Sequence, residues 1–326
     1  MSTDTLVILT GASRGLGQGV AAQYLAQGAY VLGLARHHAG ALKACDTLEQ
    51  WPVDLSDPLP VAARLGAWLA EFEARAGRPP AKVRLIHNAA MISEPGDIAG
   101  SDPADLARSL RIGLEAPIAL TAAFLRATAH WSGTDCRVLF VSSGLGRRAM
   151  AGSAAYCAQK AGLDHFARAL ALEEAARPDG ARVASVAPGI IDTDMQKQLR
   201  GADPLRFPER ARFDEFHRSG ALDSPATAAG KLIALLERDG LRRESGGGRA
   251  RVIEASALAR ARRRPAGDGR RLPVKRSSGR VGPSASVDHA HRHALRQRAH
   301  QLVADRAGRP GHLVDRQQAG ARAVAP

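Results

Sequence analysis

The chain has 326 residues and a formal net charge of +14, and 45% of its residues are hydrophobic. This length suits one large α/β domain or two small ones, and the apolar fraction permits a substantial core. No apolar run could span a bilayer, and the apolar segment at residues 6–9 is too short for a signal peptide. The three cysteines have neither disulfide nor metal-ligand spacing. These features predict a cytoplasmic protein without a bound metal.

The positive charge is confined to the last part of the chain. Residues 241–326 hold 20 of the 46 Lys and Arg but only 6 of the 32 acids, so the first 240 residues are neutral with 26 of each. Residues 241–326 also contain no Phe, Trp, Tyr, Met, Cys, Asn or Thr. The composition therefore predicts a domain over residues 1–240, with residues 251–255 as a candidate last strand, followed by a separate basic tail over 256–326.

The first 240 residues alternate short apolar runs with longer helical patterns. Strands are predicted at residues 6–9, 30–34, 83–86, 137–141 and 182–186, and helices at 17–27, 59–76, 104–125 and 154–176. This alternation implies a parallel sheet with right-handed crossovers. The predicted fold class is α/β, a single domain built on a doubly wound parallel sheet of the Rossmann type. Ligands of such folds bind at the carboxyl ends of the strands.

A glycine-rich segment joins the first predicted strand to the first predicted helix. It reads Thr10-Gly11-Ala12-Ser13-Arg14-Gly15-Leu16-Gly17. Glycines here let the backbone approach a pyrophosphate, and the helix offers its N-terminal N–H groups and its dipole to the anion. Glycines alone would also suit any tight turn. The strand before the segment and the helix after it favour dinucleotide binding.

The end of the second predicted strand bears on the choice of cofactor. Folds that prefer NAD place a carboxylate near this point for the ribose 2′-hydroxyl, but this chain has Ala35 followed by Arg36. Arg14 adds a second guanidinium from the glycine loop. Two arginines without an acid suit a 2′-phosphate, because Arg pairs with phosphate through its charge and a bidentate fork. Both could instead be solvated surface residues, but taken together they favour NADP(H).

Three polar residues form a candidate catalytic set. Tyr156 and Lys160 are four residues apart in a predicted helix and so share a face, and Ser143 follows a predicted strand at its ligand-binding end. Carbonyl reduction needs a hydride at carbon and a proton at oxygen. A free tyrosine has a pKa of about 10, which a neighbouring ammonium lowers, and a serine hydroxyl can hold the substrate oxygen. A lone Tyr-x-x-x-Lys pair also occurs by chance on surface helices, but the upstream glycine loop favours catalysis.

Residues 1–240 resemble the classical short-chain dehydrogenase/reductase family. The glycine loop resembles the family's Thr-Gly-x-x-x-Gly-x-Gly, and Ser143, Tyr156 and Lys160 match the spacing of its catalytic set. The residues around Pro188 are similar to the branch that holds sepiapterin reductase and bacterial benzil reductase. The resemblance implies cofactor contacts from Tyr156 and Lys160 and from Thr10, Gly11, Ser13, Arg14, Gly15, Leu16, Gly17, Arg36, Asp54, Leu55, Asn88, Ala89, Pro188, Gly189, Ile191 and Thr193.

The resemblance also implies an activity. The expected protein is an NADP(H)-dependent oxidoreductase that transfers a hydride from NADPH to a ketone, diketone or pterin-like carbonyl, or oxidises the alcohol in reverse, with Tyr156 as the proton donor. The alternative is a non-catalytic NADP(H)-binding sensor or partner module on the same fold. The expected partner is a small-molecule substrate, without a membrane or nucleic acid, in a homodimer or homotetramer. The apolar stripe on residues 154–176, which includes Leu163 and Leu170, is compatible with a dimer seam and equally with packing on the sheet.

Two features depart from the family. Its fourth helix usually carries an asparagine that anchors a water in a proton relay, but Gly113 aligns there and Asn88 is the only asparagine of the chain. The relay must therefore use water or backbone, or be weakened. The second departure is the tail 256–326, which is expected to be disordered or the product of a shifted reading frame. A nucleic-acid-binding arm is disfavoured because single-strand binders interleave aromatic side chains with charge.

Two lesser features have open interpretations. The segment 195–221, with three phenylalanines and two prolines, resembles the family's mobile substrate lid, and an ordinary pair of surface helices is an equal alternative. His87 follows a predicted strand and is expected to neighbour the cofactor rather than act as a base.

Overall fold

The order of the secondary-structure elements follows from the alternation in the sequence. The structure is a computed structural model that describes residues 4–238 and 252–254. Its elements are β1 (Thr5–Thr10), α1 (Gly15–Ala26), β2 (Tyr30–Ala35), β3 (Leu48–Pro52), α2 (Pro58–Ala76), β4 (Lys82–His87), α3 (Pro103–Leu110), a π-helical turn (Arg111–Glu115), α4 (Ala116–Ala127), β5 (Asp135–Val141), a 3-10 turn (Gly144–Gly146), α5 (Ala154–Ala175), β6 (Arg182–Ala187), α6 (Asp194–Gly201), α7 (Arg210–Arg218), α8 (Pro225–Leu236) and β7 (Val252–Glu254).

The strands form one parallel sheet in the order β3-β2-β1-β4-β5-β6-β7. The chain runs outward from β1 in one direction to β3 and then returns to β4 on the other side of β1. The strand order therefore reverses between β1 and β4, which is the place where doubly wound folds bind their ligands. The predicted fold class is confirmed.

Helices cover both faces of the sheet. Successive side chains of β1 point to opposite faces, so Leu6 and Ile8 join one core cluster and Val7 and Leu9 join the other. The first cluster includes side chains of α2, α4 and α5, and the second includes side chains of α1 and α8. The apolar stripe of α5 belongs to the first cluster, since Leu163 and Leu170 are buried there. These side chains thus pack within the chain, which favours sheet packing over a dimer seam.

Several elements differ from the sequence prediction, among them helix α8, which was not predicted. The edge strand β3 is missing from the prediction because its sequence, Leu-Glu-Gln-Trp-Pro, is too polar to read as a strand. The single helix predicted at 104–125 is divided into α3, a π-helical turn and α4. Pro117 explains the division, because it has no N–H to donate to the carbonyl of Gly113, its partner in a regular α-helix.

The end of the chain is described only in part. β7 lies within the candidate strand at 251–255 and pairs with β6 in parallel, with Val186 opposite Ile253. Residues 239–251 and the predicted tail at 256–326 lie outside the described residues. None of the helices that the structure describes is both long and apolar enough to cross a membrane.

Candidate active site

A cleft of about 1220 Å³ opens at the carboxyl ends of the strands. The loops after β1, β2, β4, β5 and β6 contribute to its walls, as expected for a ligand site at the switch point. Nearly all the residues predicted to bind a cofactor or to act in catalysis line it. These are Gly11, Ser13, Arg14, Gly15, Leu16, Arg36, Asp54, Leu55, Asn88, Ala89, Ser143, Tyr156, Lys160, Pro188, Gly189, Ile191 and Thr193.

The backbone geometry of the glycine loop requires glycine at three of its positions. Gly11 and Gly15 have φ angles of 70° and 55°, in the left-handed region that side chains disfavour. A Cβ at Gly17 would lie 2.1 Å from the carbonyl oxygen of Gly11, so only glycine lets α1 begin this close to the loop. The first turn of α1 carries no acidic side chain, which leaves the helix N-terminus suited to an anion.

Thr10 and Gly17 do not line the cleft, although both were predicted to bind the cofactor. Thr10 is buried, and its hydroxyl accepts hydrogen bonds from the backbone N–H groups of Asn88 and Ala89, both at 3.0 Å. The Asn88 side chain donates in turn to the carbonyls of Thr10 and Gly11, both at 3.1 Å. Thr10 and the Asn88 amide therefore brace the loop after β4 against the glycine loop.

The two arginines of the predicted phosphate site have different surroundings. Arg14 is exposed and forms an ion pair of 2.7 Å with Asp194, the first residue of α6. Arg36 is exposed, lines the cleft directly after β2 and lies near Asp54. The pKa of Asp54 is lowered by a hydrogen bond from the backbone of Ser56 and, to a smaller extent, by the charge of Arg36.

The structure brings Ser143, Tyr156 and Lys160 together at the floor of the cleft. Tyr156 and Lys160 are both buried on α5, and the Lys160 Nζ lies 5.6 Å from the centre of the Tyr156 ring. Lys160 donates a hydrogen bond of 2.9 Å to the carbonyl of Val141, the last residue of β5. Ser143 follows on the same loop, accepts from the N–H of Leu145 at 3.2 Å and is hydrogen-bonded to Tyr156.

Burial shifts the proton affinities of this pair in opposite directions. Burial raises the pKa of Tyr156 to about 12, and the hydrogen bond with Ser143 opposes it. Burial lowers the pKa of Lys160 to about 8, and the charge of Asp164 opposes it. The sequence predicts a lowered tyrosine pKa. The structure gives the reverse, because loss of water around the buried phenolate outweighs the stabilising hydrogen bond with Ser143.

The outer part of the cleft is apolar. An apolar cluster that includes Tyr156 is built from the loop after β4, the loop after β5 and helices α6 and α7. Its other buried members are Ile92, Leu145, Met150, Leu199, Ala202, Phe207 and Phe213. The segment 195–221 therefore contributes a wall of the cleft through α6 and α7, as expected of either a lid or a fixed helix pair.

His87 is buried behind the cleft and does not line it. Its ring stacks on Phe140 with 5.0 Å between centroids, and its Nε2 is hydrogen-bonded to Thr121 at 2.8 Å. Burial lowers the pKa of His87 to about 3, so the ring is neutral at physiological pH. His87 was expected to neighbour the cofactor, but its contacts belong to the packing between the sheet and α4 and not to the lining of the cleft.

The space beside Gly113 is filled by the side chain of Gln159, which belongs to no recognisable sequence motif. A Cβ at Gly113 would lie only 2.0 Å from the side-chain Cδ of Gln159. Gln159 directly precedes Lys160 on α5 and is fully buried. Its Nε2 donates to the carbonyl of Ser109 at 2.5 Å. Residues 113 and 159 are far apart in the chain, so only the folded structure reveals the contact.

Comparison with known proteins agrees with this geometry. The family model for short chain dehydrogenases matches residues 5–204. A benzil reductase ((S)-benzoin forming) of Bacillus subtilis is 33% identical over 234 residues, which cover 72% of this chain and 93% of that protein. The sepiapterin reductase of Mus musculus is 32% identical over 245 residues, covering 71% of this chain and 91% of that protein.

A solved structure shows the same relationship. The crystal structure of a short-chain dehydrogenase/reductase from Burkholderia vietnamiensis is 36% identical, covers 76% of this chain and 97% of its own, and superposes with a TM-score of 0.53. The residues matched by the family model contain the glycine loop, the Tyr156–Lys160 pair and most of the residues that line the cleft. This chain therefore belongs to the short-chain dehydrogenase family.

Proposed function

We propose that this short-chain dehydrogenase is an NADPH-dependent carbonyl reductase that uses Tyr156 as its proton donor. The observation that carries the proposal is the placement of Ser143, Tyr156 and Lys160 in the cleft that the glycine loop also lines. A hydrogen-bonded hydroxyl pair and a buried amine at the end of a dinucleotide cleft suit proton transfer to a carbonyl oxygen.

The residues of the cleft fit a dinucleotide with a 2′-phosphate. Gly11 and Gly15 adopt backbone conformations that let a pyrophosphate approach the N-terminus of α1. Arg36 lines the cleft where NAD-binding folds place an acid, so its guanidinium would hold the phosphate of NADP(H). Arg14 is a weaker candidate, because its charge is already paired with Asp194. When bound, the reduced nicotinamide supplies the hydride for the carbonyl carbon.

Ser143, Tyr156 and Lys160 have different roles in binding the substrate oxygen and in proton transfer. Ser143 and Tyr156 both present hydroxyls that hold the substrate oxygen, and Tyr156 transfers its proton to that oxygen as the carbon is reduced. The raised pKa keeps Tyr156 protonated at neutral pH, which suits a proton donor. Lys160 binds the nicotinamide ribose and stabilises the phenolate left after transfer, since it is buried on the same face of α5.

The apolar wall supports a substrate with a carbonyl beside an apolar or aromatic group. Leu145, Met150, Leu199 and Phe213 are buried side chains of this wall and line the cleft near Tyr156. Such a surface would bury an aromatic ring and leave its carbonyl to Ser143 and Tyr156. Two relatives are named as reductases of benzil and sepiapterin, which favours α-diketones and pterin-like carbonyls as the first substrates to test.

The test is NADPH oxidation, followed at 340 nm, over a panel of α-diketones and pterins. We expect turnover by the wild type and loss of nearly all of it in Tyr156→Phe, which should still bind NADPH. Retained turnover in Tyr156→Phe would contradict the role of Tyr156. Binding of NADPH without turnover of any carbonyl would instead indicate a non-catalytic sensor or partner module.

A further inference from the structure

Gln159 lies at a point where two elements of the active-site wall meet. It is on α5, three residues after Tyr156 and one before Lys160, and it faces the π-helical turn that contains Gly113. A Cβ at Gly113 would approach the Cδ, Nε2 and Oε1 atoms of Gln159 to 2.0, 2.3 and 2.3 Å. The terminal amide of Gln159 therefore occupies the volume that a side chain at position 113 would need.

The hydrogen bonds determine which way this amide points. Nε2 donates to the Ser109 carbonyl at 2.5 Å and lies 3.2 Å from the Ser109 hydroxyl and 3.4 Å from the Met91 carbonyl. Two of these partners are carbonyl oxygens, which can only accept, so the nitrogen must face them. The oxygen Oε1 is therefore turned away from the carbonyls of Ser109 and Met91.

Oε1 is a buried acceptor that has no hydrogen-bond partner among the described residues. Leaving a buried amide oxygen unsatisfied costs about 1–3 kcal/mol, so such groups normally bind ordered water. The side-chain hydrogen bonds of Gln159 within the described part of the chain go to the uncharged Ser109 and Met91. A water is therefore the partner that this environment suits best.

We propose that Gln159 is a positioning residue for proton transfer at Tyr156 and Lys160: its buried amide anchors this stretch of α5 to α3, with the oxygen Oε1 as the acceptor for a buried water. The inference rests on the proposed reductase function. Tyr156 and Gln159 are neighbours on one face of α5 because they are three residues apart. The amide also anchors this face to α3 through Ser109. We therefore expect loss of this anchor to shift both Tyr156 and Lys160, which lie on the same stretch of α5.

The first test removes the polar atoms of Gln159 and keeps its length. In Gln159→Met we expect kcat for NADPH-dependent reduction to fall about 10²-fold, because small misplacements of catalytic groups have effects of that size. KM for the carbonyl and for NADPH should change little, and the pH profile of kcat should move. The titratable groups around the pair are Cys157 and Asp164 on α5 and Arg147, which pairs with Asp164. None of these is altered in the variant.

A matched control exists on the other face of the sheet. Gln23 of α1 donates its amide to the carbonyl of Ala226 at 2.8 Å and faces a glycine of α8, Gly230. Gln23→Met should leave kcat and its pH profile at wild-type values. Wild-type kcat and pH profile in Gln159→Met as well would overturn the proposal, because the amide would then serve packing alone.

The second test exchanges the amide between the two positions. Gly113→Asn alone should lower the melting temperature by several degrees and reduce kcat, because its side chain collides with Gln159. The double variant Gly113→Asn with Gln159→Ser removes the collision and returns an amide to the same volume. We expect it to recover both melting temperature and kcat relative to Gly113→Asn. Equal stability and activity of Gly113→Asn and the wild type would contradict the contact.

The two proposals fail in different ways. A wild type that binds NADPH but reduces no carbonyl contradicts the proposed function and with it the catalytic part of this inference. An active wild type that loses turnover in Tyr156→Phe but not in Gln159→Met supports the function and contradicts only the role of Gln159.

Discussion

The same burial shifts the pKa values of Tyr156 and Lys160 in opposite directions, because it disfavours the charged form of each side chain. The pKa of Tyr156 is raised to about 12 and that of Lys160 is lowered to about 8. Below about pH 8 the tyrosine is therefore protonated and most of the lysine is charged. This is the combination that proton donation from Tyr156 requires, since the ammonium stabilises the phenolate that forms.

The first prediction concerns the pH dependence of turnover. As pH rises through about 8, Lys160 loses its charge while Tyr156 keeps its proton, so kcat for carbonyl reduction should fall above that pH. Alcohol oxidation needs a deprotonated Tyr156 to accept a proton, so its rate should rise with pH instead. Measuring kcat from pH 6 to 10 in both directions tests this. A flat profile in both directions would show that neither group titrates in the rate-limiting step.

Arg36 carries the second prediction at the residue scale. It is the exposed arginine that follows β2 and lines the cleft. Replacing it with Asp places a carboxylate where NAD-binding folds have one, and that charge repels a 2′-phosphate. Arg36→Asp should reverse the preference in kcat/KM from NADPH toward NADH. Arg14→Ala is the matched comparison and should change this preference less, because Arg14 is paired with Asp194. Unchanged cofactor preference in Arg36→Asp would mean that Arg36 does not select the cofactor.

At the scale of elements, a buried ionic cluster ties the end of α8 to the middle of the sheet. Arg84 of β4 is fully buried and donates to both carboxylate oxygens of Glu237 at 2.8 Å and to Asp135 of β5 at 3.0 Å. Tyr24 of α1 donates to the same Glu237 carboxylate at 2.9 Å. Burial raises the pKa of Glu237, but the hydrogen bonds and charge of Arg84 outweigh it and hold the pKa below its ordinary value.

The third prediction is that breaking this cluster destabilises the fold. Glu237→Ala leaves the buried Arg84 guanidinium without a bidentate partner, and removing one member of a buried pair costs about 3–5 kcal/mol. The exposed pair of Arg78 and Asp4, at 3.1 Å, is the control, and Asp4→Ala should cost about 0–1 kcal/mol. Urea unfolding followed by circular dichroism gives both free energies of unfolding. Similar losses in the free energy of unfolding of the two variants would show that the pair of Arg84 and Glu237 contributes no more to stability than an exposed ion pair.

Local patterns in the sequence predicted most elements, and the failures have physical reasons. β3 is a polar edge strand whose Glu49 accepts hydrogen bonds from the side chains of Tyr30, Trp51 and Trp68, so its polarity is satisfied only in the folded state. The glycine loop and the Tyr-x-x-x-Lys pair are local patterns and were recognisable. The contact between Gly113 and Gln159 joins segments that are distant in the sequence. The glycine at position 113 could therefore be recognised as unusual for the family, but the side chain that fills the space beside it could not be identified.

At the scale of the whole molecule, the residues of the cleft and the excess charge occupy different parts of the chain. The residues that line the cleft fall between Gly11 and Pro225. The first 240 residues have equal numbers of acidic and basic residues, and the net charge of +14 comes from residues 241–326. The chemistry proposed for the described residues of the cleft is therefore carried by the neutral part of the chain.

The fourth prediction is that a chain ending at Ala255 keeps the reductase activity of the full chain. It retains every described residue that lines the cleft and also β7, which extends the sheet beside β6. It has 30 basic and 28 acidic residues, so its net charge falls from +14 to +2. Because attachment to a polyanion depends on counterion release by basic residues, the shortened chain should elute from heparin at lower salt. Its kcat for NADPH oxidation should match that of the full chain when both are assayed at equal ionic strength. A large loss of kcat at unchanged heparin affinity would place a part of the active site beyond residue 255 and contradict the assignment of the cleft to residues 11–225.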